Sequence, residues 1–574
     1  MYANNPLILE LISLLKKKGI SKIVVSPGSR HRPLVASLEN DDFFKLYSVV
    51  DERSAAFFAL GLIQETGEPV GITCSSGTAC MNYGSAIVEA FYQKLPLLIL
   101  SSDRNPALLN QGEDQMYAQN TTFESCTKYH AQLPIINTET DKWYCNRLIN
   151  EGLIELTSHG CGPVHLNFPV ISHHHDSINV EKLPDAREIV HHIMSSSTNW
   201  EYFKDKIIGK KVAVVIGQSV MSSKGFLSCL QTFIEKVNGI ILTDKMSNIH
   251  GKYVLDNTML ALKAMLEGEV DVCFPDIVIS VGGNYIFNNE LKRFLKKGQF
   301  ENWQVGLSNK VCDPFWKLTD VFEMSEFDFF NIMSQFEYPE IDGSFQKTWL
   351  QFHSLPEPIL EEYDEIYPIG KLIKSLPDEC DLQLANSNAI RFAHYFKIPS
   401  SIRVNCNRGV NGIDGSLSTA VGFSAANNRP TFYITGELSF FYDMNALWIT
   451  SLSSKMRILL INNNGGAVMY DLKKKPEDGN YPIYLATGHH ATAKGWAESQ
   501  GFKYMSASNK EDVDKGIEEM LDFLEHRPML LEVFTDYDND GNAASKYFGT
   551  LDRRTFSEKV QGKLSRMVGK VIRK

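Results

Sequence analysis

Residues 431–466 read TFYITGELSFFYDMNALWITSLSSKMRILLINNNGG. Two short runs in it, Thr431 to Thr435 and Ile458 to Ile461, carry the β-branched, aromatic and apolar side chains expected of strands. The first runs into Gly436-Glu437 and the second into Asn462-Asn463-Asn464-Gly465-Gly466. The 26 residues from Glu437 to Asn463 leave room for one helix, so the stretch reads as a parallel strand–helix–strand unit. Loops beyond strand C-termini are where such sheets bind ligands. A carboxylate, an amide oxygen and a backbone carbonyl are expected to converge there. These are hard oxygen donors suited to a Mg²⁺ ion that grips a diphosphate, and the glycines let backbone approach phosphate.

The same style recurs on either side. Strands are expected at Ile23 to Val25, Val70 to Thr73, Leu95 to Leu100 and Gly162 to Asn167, the first three followed by Ser26-Pro27-Gly28-Ser29-Arg30, Ser75-Ser76-Gly77-Thr78-Ala79 and Ser102-Asp103-Arg104. The middle third offers Val212 to Ile216, Gly239 to Thr243 and Asp276 to Gly283, without a G-x-G-x-x-G. The last third adds Leu382 to Ala385 and Pro528 to Phe534. The fold class is therefore α/β: three doubly wound parallel-sheet domains in series, with boundaries expected at 1–185, 186–354 and 355–552, then a basic tail over 553–574. The tail sets eight Lys/Arg against Glu558 alone, with apolar residues at helical spacing, and reads as a terminal helix docked on its own protein.

Composition narrows the function. The chain has 574 residues, 43% hydrophobic and 22% charged, which excludes a disordered or collagen-like chain. The net charge of −11 has the wrong sign for a global nucleic-acid binder. Ten cysteines without a C-x-x-C pair exclude a disulfide scaffold and a zinc finger, and point to a reduced, cytoplasmic protein. Leu7 to Leu15 followed by Lys16-Lys17-Lys18 reads as an amphipathic first helix rather than a signal peptide, and Leu95 to Leu100 is too short to span a bilayer.

In the first domain, Val49-Val50-Asp51-Glu52-Arg53 leads into an apolar helix, Phe57 to Ile63. Together with Gly436-Glu437 and Asn462 to Gly466, this resembles the thiamine-diphosphate enzymes. Ser26 to Arg30, Asp51-Glu52-Arg53, Ser76 to Ala79, Asp103-Arg104, Asn407-Arg408-Gly409, Gly412 to Gly415, Leu438-Ser439 and Tyr442 to Asn445 follow in the order of one subfamily. That subfamily is the menaquinone-pathway synthases of 2-succinyl-5-enolpyruvyl-6-hydroxy-3-cyclohexene-1-carboxylate, and the resemblance runs from about Pro6 to Phe534.

The resemblance implies thiamine diphosphate and Mg²⁺ as cofactors, bound between the first domain of one subunit and the third of another, so the partner is a second copy in a homodimer or homotetramer. It implies that Glu52 binds N1′ of the aminopyrimidine and activates the cofactor, with Ser387, Gly436, Ser439 and Asn463 as further cofactor contacts. Glu437, Asn463 and Gly465 take the metal positions. Arg30, Arg104, Gln115 and Arg408 take the substrate positions, which suits two polycarboxylates because guanidinium grips carboxylate bidentately and stays charged. The implied reaction is decarboxylative carboligation by a transferase: the succinyl carbanion from 2-oxoglutarate adds to isochorismate.

Three departures from the family pattern matter. Glu437 stands where the family has aspartate, one methylene longer, and Mg²⁺ tolerates poor octahedral geometry badly. Asn288-Asn289 stands where the family carries a substrate-binding Lys-Arg pair, with Lys292-Arg293 four residues later. Asn105 follows Arg104 where the family usually has proline, while Arg32 lies two residues after Arg30 as a substitute charge. Three readings stay open: the menaquinone synthase, a paralogue joining another 2-oxoacid to another acceptor, and a non-catalytic scaffold. Of the remaining features, His173-His174-His175 reads as a polar linker and His489-His490 as a surface or capping pair.

Overall fold

The structure is a computed structural model. It describes all residues except 172–176, 190–198, 219–223, 286–287, 309–311, 340–341, 473–485 and 555–574. His173-His174-His175 and nearly all of the basic tail therefore lie outside the described residues.

Three six-stranded sheets follow one another along the chain, each with every strand parallel. The first runs Lys45–Ser48, Lys22–Val25, Val70–Cys74, Leu97–Asp103, Val164–Pro169, Tyr129–Gln132 across its width. The third runs Arg403–Cys406, Asp381–Leu384, Thr431–Gly436, Met456–Asn462, Met529–Phe534, Lys503–Ala507. Both have the order 2-1-3-4-6-5 in their own strands. The middle sheet runs Val254–Leu255, Ile240–Leu242, Val212–Ile216, Ile277–Val281, Glu301–Val305, Leu318–Phe322, the Rossmann order 3-2-1-4-5-6. The central strands are buried on both faces, which is why they read as unbroken apolar runs. A separate antiparallel pair, Tyr2–Ala3 with Ile178–Val180, ties the two ends of the first unit together.

The first helix, Pro6–Lys17, starts under an Asn5 cap that accepts from the N–H groups of Leu7 and Ile8. One contiguous buried apolar core runs through all three units, from Val24 and Phe57 through Val215 and Trp349 to Ile434 and Leu531. The tightest joint inside it is the crossing of helix Glu52–Thr66 with helix Ser416–Ala425. An added Cβ on Gly61 would lie 2.0 Å from the Thr419 carbonyl, and one on Gly422 would lie 2.1 Å from that of Phe58. The first and third units of one chain are thus packed backbone to backbone, and this crossing fixes the helix whose first residue is Glu52.

Strand order reverses between Lys22–Val25 and Val70–Cys74, between Val212–Ile216 and Ile277–Val281, and between Asp381–Leu384 and Thr431–Gly436. These are the places where open parallel sheets form ligand crevices. Ser26 to Arg30, Ser75 to Ala79, Asn386-Ser387 and Gly436-Glu437 end or follow these strands, while Asp103-Arg104 and Asn462 to Gly466 end or follow the adjacent ones, Leu97–Asp103 and Met456–Asn462.

Candidate active site

In the third unit, strand Thr431–Gly436 passes through Gly436 into the short helix Glu437–Tyr442. Space at Gly436 is open, since an added Cβ would meet nothing within 4 Å. Glu437 is 3% exposed. Its Oε1 accepts the Gly465 N–H at 2.9 Å, and His489 Nε2 lies 3.6 Å away. Burial, with the Asp540 charge nearby, pushes its carboxyl up to about 8. Asn463, on the loop after the neighbouring strand, is 6% exposed. Its Nδ2 donates to Asp540 Oδ2 at 2.8 Å, which leaves its Oδ1 buried without a hydrogen-bond partner.

An orphaned amide oxygen beside a buried carboxylate is a donor set that fits a hard cation. Beside Glu437, burial lowers the His489 imidazole below its usual range. The Gly465 backbone meets this set through its N–H, and its carbonyl keeps a second lone pair. Gly465 gives its N–H to Glu437, and its oxygen accepts from the Ala467 N–H at 3.0 Å in a tight turn. Asn462 is structural, donating to Glu532 and to the Ala491 carbonyl.

Behind Asn463 stands a support that the sequence reading missed. Asp540 also accepts from Thr535 Oγ1 at 2.5 Å and from the Glu365 N–H at 2.8 Å, and Glu365 accepts from Asn388 Nδ2 at 2.5 Å. Burial and the neighbouring carboxylates raise the Glu365 carboxyl well above its usual range. Asn388 immediately follows Ser387, whose φ of +73° is a strained conformation for a residue with a side chain. Ser439 Oγ donates to the Ile413 carbonyl at 2.6 Å and lies 3.0 Å from Ser416 Oγ, so it fixes the 412–415 turn.

Arg408 Nη1 donates to Asn386 Oδ1 at 2.8 Å, next to Ser387. Asn386 Nδ2 donates to the carbonyls of Asn407 and Gly412, both at 2.6 Å. Arg408 and Ser387 are therefore brought together at the third switch point.

In the first unit, Glu52 heads helix Glu52–Thr66 behind an Asp51 cap, and its Oε2 accepts from Asn82 Nδ2 at 3.2 Å. Asp51 also accepts from Asn445 Nδ2 at 2.9 Å, and Arg53 donates to the Tyr442 carbonyl at 2.8 Å. The head of the helix is thus anchored on residues 442–445 of the same chain. Glu52 itself is half-exposed, flanked by Val50 and Met81, which are 53% and 52% exposed.

Arg30 is buried and donates to the Val170 carbonyl at 3.2 Å. Burial and the nearby Arg104 charge lower its pKa. Arg104 pairs with Glu113. Gln115 is exposed at φ +51°, its backbone lying against Gly77. Arg30, Arg104, Glu113 and Asp103 form one cluster. Arg32 is exposed at the start of helix Arg32–Glu39. Asn105 caps the turn Pro106–Leu108 through the Ala107 N–H at 3.1 Å. Asn288, Asn289, Lys292 and Arg293 all fall on helix Asn288–Leu295, where Asn289 and Arg293 are exposed. From that loop it is Asn284 that reaches Arg408, donating to its carbonyl at 2.9 Å. His489 caps the Ala491 N–H, as expected, and also approaches Glu437.

Residues 10–122 match the thiamine pyrophosphate enzyme N-terminal TPP binding domain, and residues 387–533 match the C-terminal TPP binding domain. The chain is 38% identical over 571 residues to the 2-succinyl-5-enolpyruvyl-6-hydroxy-3-cyclohexene-1-carboxylate synthase of Phocaeicola vulgatus, covering 96% of this chain and 100% of that one. It is 37% identical over 572 residues to the synthase of that name from Bacteroides thetaiotaomicron and 30% identical over 569 to that from Flavobacterium johnsoniae, with the same coverage. The chain belongs to the 2-succinyl-5-enolpyruvyl-6-hydroxy-3-cyclohexene-1-carboxylate synthase family. It is a thiamine-diphosphate-dependent enzyme of this type, which removes the scaffold reading. The two matched segments contain Glu52 and the pair Glu437 and Asn463, the two halves of the cofactor site that the sequence suggested. Among the described residues no helix is long and apolar enough to cross a membrane.

Proposed function

We propose that this enzyme joins 2-oxoglutarate to isochorismate with loss of CO₂. Two σ bonds form, one between the ketone carbon of 2-oxoglutarate and the β-carbon of the acceptor, and one between a proton from solvent and the acceptor's α-carbon, as the double bond between those two acceptor carbons becomes single. One breaks, between that ketone carbon and its carboxyl group. Thiamine diphosphate supplies the nucleophilic carbon and the electron sink for CO₂ loss. Glu52 holds the proton at N1′ of the aminopyrimidine, with Asn82 fixing the carboxylate that does so. Glu437, Asn463 and the Gly465 carbonyl would hold Mg²⁺, which would supply positive charge for a diphosphate beside the open space at Gly436 and the turn held by Ser439. Ser387 lines the cofactor side of the third unit. Gly465 positions Glu437 through its N–H.

The observation that carries the substrate reading is the partition of the arginines. Arg408 lies beside Ser387 in the third unit and takes the remote carboxylate of the 2-oxoacid. Arg30 and Arg104, clustered in the first unit with Gln115 on the same loop as Glu113, take the carboxylates of the acceptor. Domain boundaries near residues 185 and 354 accord with this division of labour.

A second copy of the chain completes the site. Glu52 is half-exposed between the exposed apolar residues Val50 and Met81, and covering them removes water from its carboxylate. The minimum unit is a homodimer. All ten cysteines are free, as in a reducing compartment, and we place the protein in the cytoplasm.

The test is CO₂ release from purified protein with thiamine diphosphate, Mg²⁺ and 2-oxoglutarate, with and without isochorismate, and the mass of the product. Release that rises with isochorismate, together with the adduct mass, supports the reading. Cofactor binding without this turnover, but with turnover of another 2-oxoacid and acceptor, replaces it with the paralogue.

A further inference from the structure

The loop from Cys406 to Gly412 carries Arg408 and is gripped by all three units. From the third, Asn386 holds the carbonyls of Asn407 and Gly412. From the first, the Glu89 carboxylate accepts the N–H groups of Gly409 and Val410 at 2.7 and 2.8 Å. From the middle, Gln218 Nε2 donates to the Cys406 carbonyl at 2.7 Å, and Asn284 Nδ2 donates to the carbonyls of Arg408 and Gly409 at 2.9 and 3.1 Å. Glu89 is only 2% exposed, and an added Cβ on Gly409 would lie 2.7 Å from its carbonyl oxygen, so the two backbones touch.

Gln218 and Asn284 stand at the switch point of the middle sheet, where the Rossmann order would form a dinucleotide crevice. Among the described residues the two sides of that crevice are stitched together. The Gln218 N–H donates to the Asn284 carbonyl at 2.9 Å, and the Gly283 N–H to the Gln218 carbonyl at 3.0 Å. A Cβ on Gly217 would lie 1.9 Å from the Gly283 oxygen. The polar groups that would face a ligand face the Arg408 loop instead.

We propose that Glu89 and Asn284 are positioning residues for Arg408, and that the middle unit acts on the 2-oxoacid through this grip rather than through cations of its own. The inference rests on the reading that Arg408 takes the 2-oxoacid carboxylate. It accounts for a middle unit that presents Asn288-Asn289 where its relatives are expected to present cations. A buried carboxylate fits the role because it offers an acceptor to each of two adjacent N–H groups. The isosteric amide turns one of those acceptors into a donor facing an N–H.

The experiment is steady-state kinetics on the holoenzyme for Glu89→Gln, Asn284→Ala, Arg408→Gln and the double variant Glu89→Gln/Arg408→Gln. Glu89→Gln and Asn284→Ala are each expected to raise KM for 2-oxoglutarate by about tenfold while KM for isochorismate stays within about twofold. The thermal stabilisation by thiamine diphosphate is expected to persist. Added to Arg408→Gln, the Glu89→Gln change is expected to alter kcat/KM by less than about twofold, because its effect runs through Arg408. Additive effects in the double variant, equal shifts in both KM values, or loss of cofactor stabilisation would overturn the proposal in favour of a general structural role. If Arg408→Gln leaves KM for 2-oxoglutarate unchanged, the assignment of Arg408 fails and the inference with it. If Arg408→Gln shifts that KM and neither other single variant does, only the positioning role fails. Should Glu89→Gln not fold, Asn284→Ala and its double with Arg408→Gln decide by the same criteria.

Discussion

Gly61→Ala places a methyl group where helix Glu52–Thr66 touches helix Ser416–Ala425. The new Cβ would stand 2.0 Å from the Thr419 carbonyl and 2.5 Å from the Phe423 nitrogen, closer than real Cβ contacts come. Both obstacles are backbone, so no side chain can rotate away, and the helices must part by roughly 1 Å in a region packed to crystal-like density. Overpacking of this kind costs about 1–3 kcal/mol, and the rigid backbone puts this case at the upper end. For a unit of this size that lowers the melting midpoint by roughly 6–12 °C. Gly422→Ala makes the reciprocal clash with Phe58 and is expected to behave alike. The assay is thermal unfolding followed by circular dichroism, read at the first transition because three packed units need not unfold together. Gly268→Ala and Gly549→Ala are the controls: both glycines are helical with nothing near the added Cβ, and both variants are expected to melt at or above the wild-type temperature. Because the crossing holds the helix that begins at Glu52, the Gly61 variant is also expected to lose turnover. A Gly61→Ala protein that melts within 1–2 °C of wild type, by the same scaling, refutes the claim that this crossing locks the first unit to the third.

Other expectations follow from the site and its burial. Glu52→Gln is expected to cut turnover by about a hundredfold or more while cofactor-induced stabilisation persists, and full activity in it would remove the proposed proton role. Glu437→Asp withdraws the carboxylate from the Gly465 N–H and is expected to lower the Mg²⁺ concentration needed for cofactor-induced stabilisation; an unchanged titration means that glutamate serves the metal equally well. His394 is buried and neutral, its Nε2 accepting the Lys245 N–H and its pKa held down at about 3. Because that folded value lies below the ordinary 6.5, its contribution to stability is full above pH 6.5 and is lost as pH falls towards 3. His394→Gln should therefore gain on the wild type by up to about 1.4 kcal/mol per pH unit below 6.5, seen as urea midpoints at pH 7 and pH 5. A wild-type-to-variant difference that stays constant across that range contradicts the assignment.

The sequence showed most central strands, missing Glu301–Val305 with its polar Glu301, Asn302 and Gln304, and hid the edges. Val212–Ile216 and Met456–Asn462 are buried on both faces and read as apolar runs. Lys45–Ser48, Tyr129–Gln132, Val254–Leu255, Leu318–Phe322, Arg403–Cys406 and Lys503–Ala507 are all edge strands, either two residues long or mixed with polar and charged side chains. Edge strands are blunted in this way to discourage pairing with other chains, and the same device erases their periodicity. The strand before Glu52 stops at Ser48, and Asp51 serves as the helix cap. In the site, Glu437 and Asn463 were legible because each directly follows an apolar strand. Their supports were not. Asp540 lies 77 residues from Asn463, Asn284 lies 124 from Arg408, and Glu89 lies 320 from Gly409. Nothing local marks an amide or a carboxylate as the one that meets a particular loop after folding.

The central claim is a site shared between two copies, Glu52 from one and Glu437, Asn463 and Arg408 from the other. Co-expression of differently tagged Glu52→Gln and Glu437→Ala chains, each inactive by itself, yields a hybrid dimer that sequential affinity steps isolate. If the site is shared, one site of the hybrid carries both substitutions and the other neither, and the hybrid should turn over at about half the wild-type rate. An inactive hybrid would mean that Glu52 and Glu437 of the same chain serve one site, and the shared-site account would fall.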